Sequence, residues 1–257
     1  MTPELNLHGD CYRRRIDVSV VDVATTRCVL QDDFHHFVVD VHHDGKFVLR
    51  VTVDSVRFPW STCPNADTAL QALAGMPLTT RFTAASRYAN AHANCTHQFD
   101  AAAHAITHTA ATLAGARNRD RRYDVEIGAH IASLANNPGP NRLWVDGEAD
   151  LVWTLDGRLA LHDAQPPFDA APWKGGFMRW ADATLEADAA ERAIVLRRAC
   201  DIGLGRGMDL DAIPTADELL DRMAGVCYTM QPEIAVGSRR NLGAIRDFSS
   251  DPTLLDS

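Results

Sequence analysis

Two cysteines stand where a chain can place reactive thiols. Cys63 lies directly before Pro64, and Cys95 opens the run Cys95-Thr96-His97-Gln98; each precedes a stretch with helical spacing. Unpaired amides and the positive end of the helix dipole at such a position favour thiolate, the form that attacks carbon and binds metal. Histidines accompany them. His35-His36 lead into Phe37-Val38-Val39-Asp40-Val41, a strand pattern whose neighbouring side chains face opposite ways, so one site can use only one of the two. His97 joins a site with Cys95 only if Cys95 lies at or before the helix cap. A set of His and Cys ligands suits a divalent metal, whereas a thiol beside an imidazole suits a nucleophile and its base.

Other candidates carry a plainer reading. His104 and His108, four apart on one helical face, can chelate a metal but equally suit a polar helix surface. His42-His43, before Asp44-Gly45, read as a solvated turn. Gly203-Leu204-Gly205-Arg206-Gly207 follows a helix where a phosphate loop should follow a strand, which makes it a helix stop. Ser55, Ser61 and Ser86 lack the Gly-x-Ser-x-Gly context, and Asp209 and Asp211 fit a solvated loop. Trp173, Phe177 and Trp180 around Lys174-Gly175-Gly176 read as core or as an aromatic wall over a pocket.

The composition narrows the setting. The 257 residues include 25 Lys and Arg against 34 Asp and Glu, a net charge of −9, with 11 histidines and 6 cysteines. At 46% hydrophobic and 23% charged the chain reads as ordinary globular protein. No apolar run approaches the roughly 20 residues of a membrane span. The start, MTPELNLHGD, has neither basic charge nor an apolar stretch, so no secretory signal and a cytoplasmic location are expected. An acidic chain without a Lys/Arg block argues against nucleic acid as partner. Without a CxxC pair, and in a reducing compartment, the cysteines are expected as free thiols. Cys11, Cys28, Cys200 and Cys227 read as small buried hydrophobes.

The elements that must position these residues follow from periodicity. Residues 11–58 alternate as an antiparallel meander, with a hairpin at Asp44-Gly45. Helical spacing follows Pro64 as far as Gly75, and a longer helix runs from Asn94 or Cys95 to Leu113, before Gly115. Strand returns from Arg121, breaks at Asn136-Asn137-Pro138-Gly139-Pro140, and resumes as a small meander with turns at Asp146-Gly147 and Asp156-Gly157. Thr184 caps a helix to about Cys200, and Thr215 to Glu218 has capping-box spacing. The fold class expected is α+β: an antiparallel β-meander and helices, then a second small meander and C-terminal helices. The division expected is a metal-site region over 1–118 and a second α+β region over 119–257.

The motifs Phe34-His35-His36-Phe37, Cys63-Pro64 and Cys95-Thr96-His97-Gln98 resemble a bacterial family of domains of unknown function. That family combines a His-Asp-Met-like strand start, a Cys-Pro and a Cys-Thr-His-Leu helix start. His36 stands where the family has Asp, and Gln98 where it has Leu. In layout the segment is also similar to iron–sulfur cluster scaffold proteins, whose ligands would correspond to His35 (or His36), Cys63 and Cys95. Their first thiolate is absent here, so a single Zn²⁺ or Fe²⁺ suits the set better than a cluster.

The leading expectation is therefore a metal-dependent hydrolase or lyase acting on a small organic molecule. His35, Cys63 and Cys95 hold Zn or Fe, and His36 or His97 serves as fourth ligand or acid/base. The second region supplies pocket wall or lid, and the size suits a homodimer. Three rivals stand beside it: a metal or iron–sulfur carrier without turnover, a Cys95 nucleophile activated by His97, and a binding protein with inert thiols.

Overall fold

Alternation of buried and exposed side chains through the first fifty described residues produces four antiparallel strands. They are β1 (Cys11–Asp22), β2 (Thr25–Asp32), β3 (His36–His43) and β4 (Val48–Arg57). On β3 the buried positions are Phe37, Val39, Val41 and His43, every second residue, so one face of the meander is core and the other is wet. The structure is a computed structural model that describes residues 11–128, 140–155, 161–162, 164–173, 175–249 and 255.

The β3–β4 turn forms where Asp44-Gly45 marks it, with Asp44 Oδ1 accepting from the amides of Lys46 and Phe47. His42 and His43 do not share a solvated turn: His42 is partly exposed, whereas His43 belongs to the buried side of β3 and is 3% exposed. The strand alternation continues through the last residue and overrides the polarity of the imidazole.

After Cys63 the expected helix is broken. A 3₁₀ turn over Cys63–Ala66, the four-residue α1 (Asp67–Leu70) and another 3₁₀ turn over Gln71–Leu73 follow one another. The buried Leu70 and Leu73 are three apart, which suits a 3₁₀ turn, and Gln71 Nε2 ties the segment to the Val51 carbonyl at 2.6 Å.

The long helix α2 (Thr96–Leu113) is capped by Cys95 and ends before Gly115, as its pattern indicates. It is buried on almost every side: each residue from His97 to Thr109 is buried, and it packs on β2 and β3. Alanines at 101, 102, 103 and 105 let neighbours approach closely, while the polar residues find local partners. Thr109 Oγ1 bonds the Ala105 carbonyl and Thr26, both at 2.7 Å, and His108 Nε2 lies 3.0 Å from the Arg119 carbonyl. The His104 ring packs at a tilt against Phe82, with centroids 4.7 Å apart. The four-residue spacing of His104 and His108 thus serves burial and packing.

The second strand group comprises β5 (Asp120–Gly128), β6 (Asn141–Val145), β7 (Glu148–Leu155) and the short β8 (Leu161–His162). Asp146 and Gly147 both have positive φ, 53° and 85°, as a two-residue hairpin turn requires. The expected breaks at 136–139 and Asp156-Gly157 lie outside the described residues. The helices are α3 (Phe177–Thr184), α4 (Ala187–Gly203), and the four-residue α5 (Leu220–Met223) and α6 (Pro232–Ala235).

Thr184 does not cap α4; it is the last residue of α3. Leu185 and Glu186 are extended, with ψ of 152° and 153°, and Glu186 is the N-cap. Gly203 is where α4 stops, as expected. It is the last residue of α4, where a Cβ would meet Ile127 Cγ2 at 3.2 Å and the Tyr12 ring at 3.4 Å. Thr215 and Glu218 bond each other's side chains at 3.2 Å, and the turn they open is 3₁₀ (Ala216–Leu219).

The chain forms two compact units. One gathers 16–121 with 210–246; the other gathers 1–15, 122–209 and 247–257. In the first, the strand order is β4-β3-β2-β1, and residues 210–246 return to it. There the Ser61 amide bonds the Arg239 carbonyl, the Tyr228 amide bonds Asn94, and Arg240 pairs with Asp211 at 2.9 Å. In the second, β5-β6-β7-β8 lie in order and α4 packs on β6 and β7. Trp153, Phe168, Trp173, Phe177 and Trp180 pack together with edge-on and tilted rings 5.2–6.0 Å apart, and Trp173 and Phe177 are buried. Among the described residues no helix is long and apolar enough to cross a membrane.

Candidate metal centre

The centre lies where β2 ends and α2 begins. Asp32, the last residue of β2, is fully buried, and its Oδ1 accepts from the amides of Phe34 and His35 at 2.9 and 2.8 Å. An aspartate that bonds the backbone two and three residues on makes a tight turn and fixes its own carboxylate. The turn swings the His35 ring back, so that Nδ1 lies 3.0 Å from the same Oδ1.

His97 enters from the other side, in the first turn of α2. Its Nε2 is 3.7 Å from Asp32 Oδ2, and its ring stacks on His35 with centroids 3.5 Å apart. Phe37, two residues along from His35, stacks on that imidazole at 5.9 Å, and Phe34 meets it edge-on at 6.2 Å. Phe34 and Phe37 flank the group, and its three polar side chains are buried.

Asp32, His35 and His97 each offer a ligand atom within 4.8 Å of the others, and they are the only such group of three or more among the described residues. One carboxylate and two imidazoles are ligand types shared by zinc and by ferrous iron sites that keep positions open.

Of the residues singled out by motif, His35 and His97 are brought together. His36 points away from them, since Phe37 and the buried face lie on the other side of β3. It sits opposite Arg57 in the β3–β4 register, and burial lowers its pKa below the ordinary imidazole value, with the Arg57 charge adding to that effect. Cys63 and Cys95 lie outside the group. Cys63 Sγ is 3.6 Å from Thr229 Oγ1, and the Cys63 carbonyl accepts from Gln98 Nε2 at 3.0 Å.

Helix starts do not turn these thiols into thiolates. Burial pushes Cys63 up to about 11, and the nearby Cys227 thiol adds to the rise. Burial also pushes Cys95 well above the usual thiol range, with Cys63 reinforcing it. The helix after Cys63 is too short and irregular to align many peptide dipoles, and desolvation of a charged sulfur outweighs what alignment there is. Asp32 is the member that motif reading passed over. Its signal was an aspartate at a strand end three residues before a histidine, the spacing of a side-chain-capped turn.

The fold and this site define an α+β protein with a buried Asp/His/His group. Residues 12–111, which contain all three residues, match the family described as Protein of unknown function (DUF2889). No curated protein and no solved structure matches the chain.

Proposed function

We propose that the protein is a metal-dependent enzyme whose single divalent ion, Zn²⁺ or Fe²⁺, is held by Asp32, His35 and His97. The observation that carries this reading is the convergence of three ligand atoms, from two distant parts of the chain, at a buried point. Three protein ligands leave coordination positions for water and substrate. An ion so held would supply Lewis-acid chemistry toward a carbonyl or a water, which supports hydrolase or lyase chemistry on a small organic molecule. The ligand set replaces the Cys-containing one that the motifs suggested. Burial of all three ligands favours an enclosed reaction centre over a carrier that must hand its metal on.

The test is direct. Full-length protein, stripped of metal and titrated with Co²⁺, should bind one ion with a visible d–d spectrum. Asp32→Asn and His97→Ala should each lose that binding while Cys63→Ser and Cys95→Ser retain it. A wild-type chain that takes up no ion, or variants that bind as the wild type does, would overturn the reading.

A further inference from the structure

Arg57 ends β4, opposite His36 in the strand register, and its guanidinium is spent on backbone carbonyls. Nη2 donates to the carbonyls of Asp32 at 2.6 Å and His35 at 3.1 Å; Nη1 donates to those of Asp33 at 3.0 Å and Ala244 at 2.9 Å. Three of the four belong to the turn that carries two of the proposed ligands. The fourth comes from the returning C-terminal segment, whose Arg246 amide also bonds the Asp33 carbonyl at 2.7 Å.

We infer that Arg57 is the positioning residue of the metal centre: its guanidinium fork clamps the 32–35 turn from outside and so aims the Asp32 carboxylate and the His35 ring inward. The inference rests on the proposed function for what the turn holds. The chemistry requires arginine. A planar, permanently charged group with several donors in fixed directions can span four carbonyls, whereas an ammonium on a flexible stem cannot. Outer groups that orient metal ligands commonly change metal affinity about 10- to 100-fold when removed.

Charge makes the inference testable by sign. Arg57 is a cation near a cation site, and deleting it would by electrostatics alone tighten metal binding. A positioning role demands the reverse. In Co²⁺ titrations of the metal-stripped full chain, Arg57→Ala should bind about 10- to 100-fold more weakly than wild type. Arg57→Lys keeps the charge without the fork; it should also bind more weakly, and it carries the test if the alanine variant does not fold. A merely structural role would lower the unfolding midpoint and leave the affinity of the folded protein unchanged.

A second readout needs no metal. The Phe34 and His35 amides, which donate to Asp32 Oδ1, should exchange with deuterium faster in Arg57→Lys than in wild type. Wild-type affinity in the folded variants, or tighter binding, overturns the inference. If the wild type itself binds no Co²⁺, the proposed function fails instead. The exchange rates then decide whether Arg57 orders the turn, and unchanged protection overturns that role.

Discussion

The imidazoles of His35 and His97 lie face to face, with centroids 3.5 Å apart and planes inclined by 24°. One is fixed by a turn at the end of a strand and the other by the first turn of a helix. Their stacking holds both rings against the single carboxylate of Asp32, with Phe37 beside the pair, 5.9 Å from His35 and 6.4 Å from His97. The arrangement ties the chemistry of the site to the packing of α2 on β2 and β3.

If Asp32 both orders the turn and, as proposed, holds the ion, substitutions should divide the two roles. Asp32→Ala removes the side-chain acceptor of the Phe34 amide and leaves the His35 amide its longer 3.3 Å bond to the Asp32 carbonyl, at a cost of about 1–3 kcal/mol. Asp32→Asn keeps an oxygen for the turn, so urea unfolding should find it closer to wild type than Asp32→Ala. The proposed metal binding should nevertheless be lost in both, because neither side chain carries the anionic charge of the carboxylate. Equal stability of the two variants would show that the turn does not depend on this acceptor.

Thiol chemistry should be silent in the native state. With Cys63 pushed up to about 11 and both Cys63 and Cys95 buried, iodoacetamide at pH 8 should leave these two unmodified until the protein is unfolded. Peptide mapping after a short pulse measures this. Rapid native labelling of Cys95 would instead restore the nucleophile reading.

Gly203→Ala should destabilise the unit that contains α4. Alanine gains at most about 1 kcal/mol over glycine in a helix, and less at a last helical residue such as this. Its methyl, however, would sit 3.2 Å from Ile127 Cγ2, tighter than ordinary contact, and 3.4 Å from the Tyr12 ring, both 1% exposed. Overpacking of about 1–3 kcal/mol outweighs the gain, and the unfolding midpoint should fall. A rise in the midpoint would mean that the Ile127 side chain yields.

Acid should weaken the β3–β4 hairpin in two separate ranges. Burial holds the His43 pKa below the ordinary 6.5, so protonation favours the unfolded chain and stability falls as pH drops below 6.5. His43→Leu should flatten the unfolding midpoint between pH 7 and 5 relative to wild type. Asp44 is held below 3.8 by the Phe47 and Lys46 amides, so its contribution is present above 3.8 and fades as pH falls through its lowered value. Asp44→Ala should reduce the pH dependence in that lower range alone, where Asp22 and Asp247 are also held below the ordinary value. A parallel pH profile in wild type and either variant would contradict the assignment for that residue.

Local periodicity was enough to locate the meander, its Asp44-Gly45 and Asp146-Gly147 turns, and α2 with its cap at Cys95 and its end at Leu113. Each depends on neighbours in sequence: alternation along a strand, positive φ at a turn, a cap before a helix. Where local signals compete, they misled. Thr184 is a good capping residue, yet the chain turns extended at Leu185 and Glu186, and the cap falls to Glu186. The 64–73 segment follows β4 as broken turns because its buried leucines sit three apart.

The residues His35 and His97 were legible as candidates by type and motif, and so was the α+β class. Their partner was not. Whether Asp32, Cys63 or Cys95 joins them depends on how α2 seats on β2 and β3, a matter of long-range packing that no spacing encodes. The same packing decided the thiols. A helix start favours thiolate only where water or charge can support it, and here burial removes that support. Sequence determined which side chains could do chemistry; the tertiary structure decided which of them meet, and whether their surroundings leave them ionised.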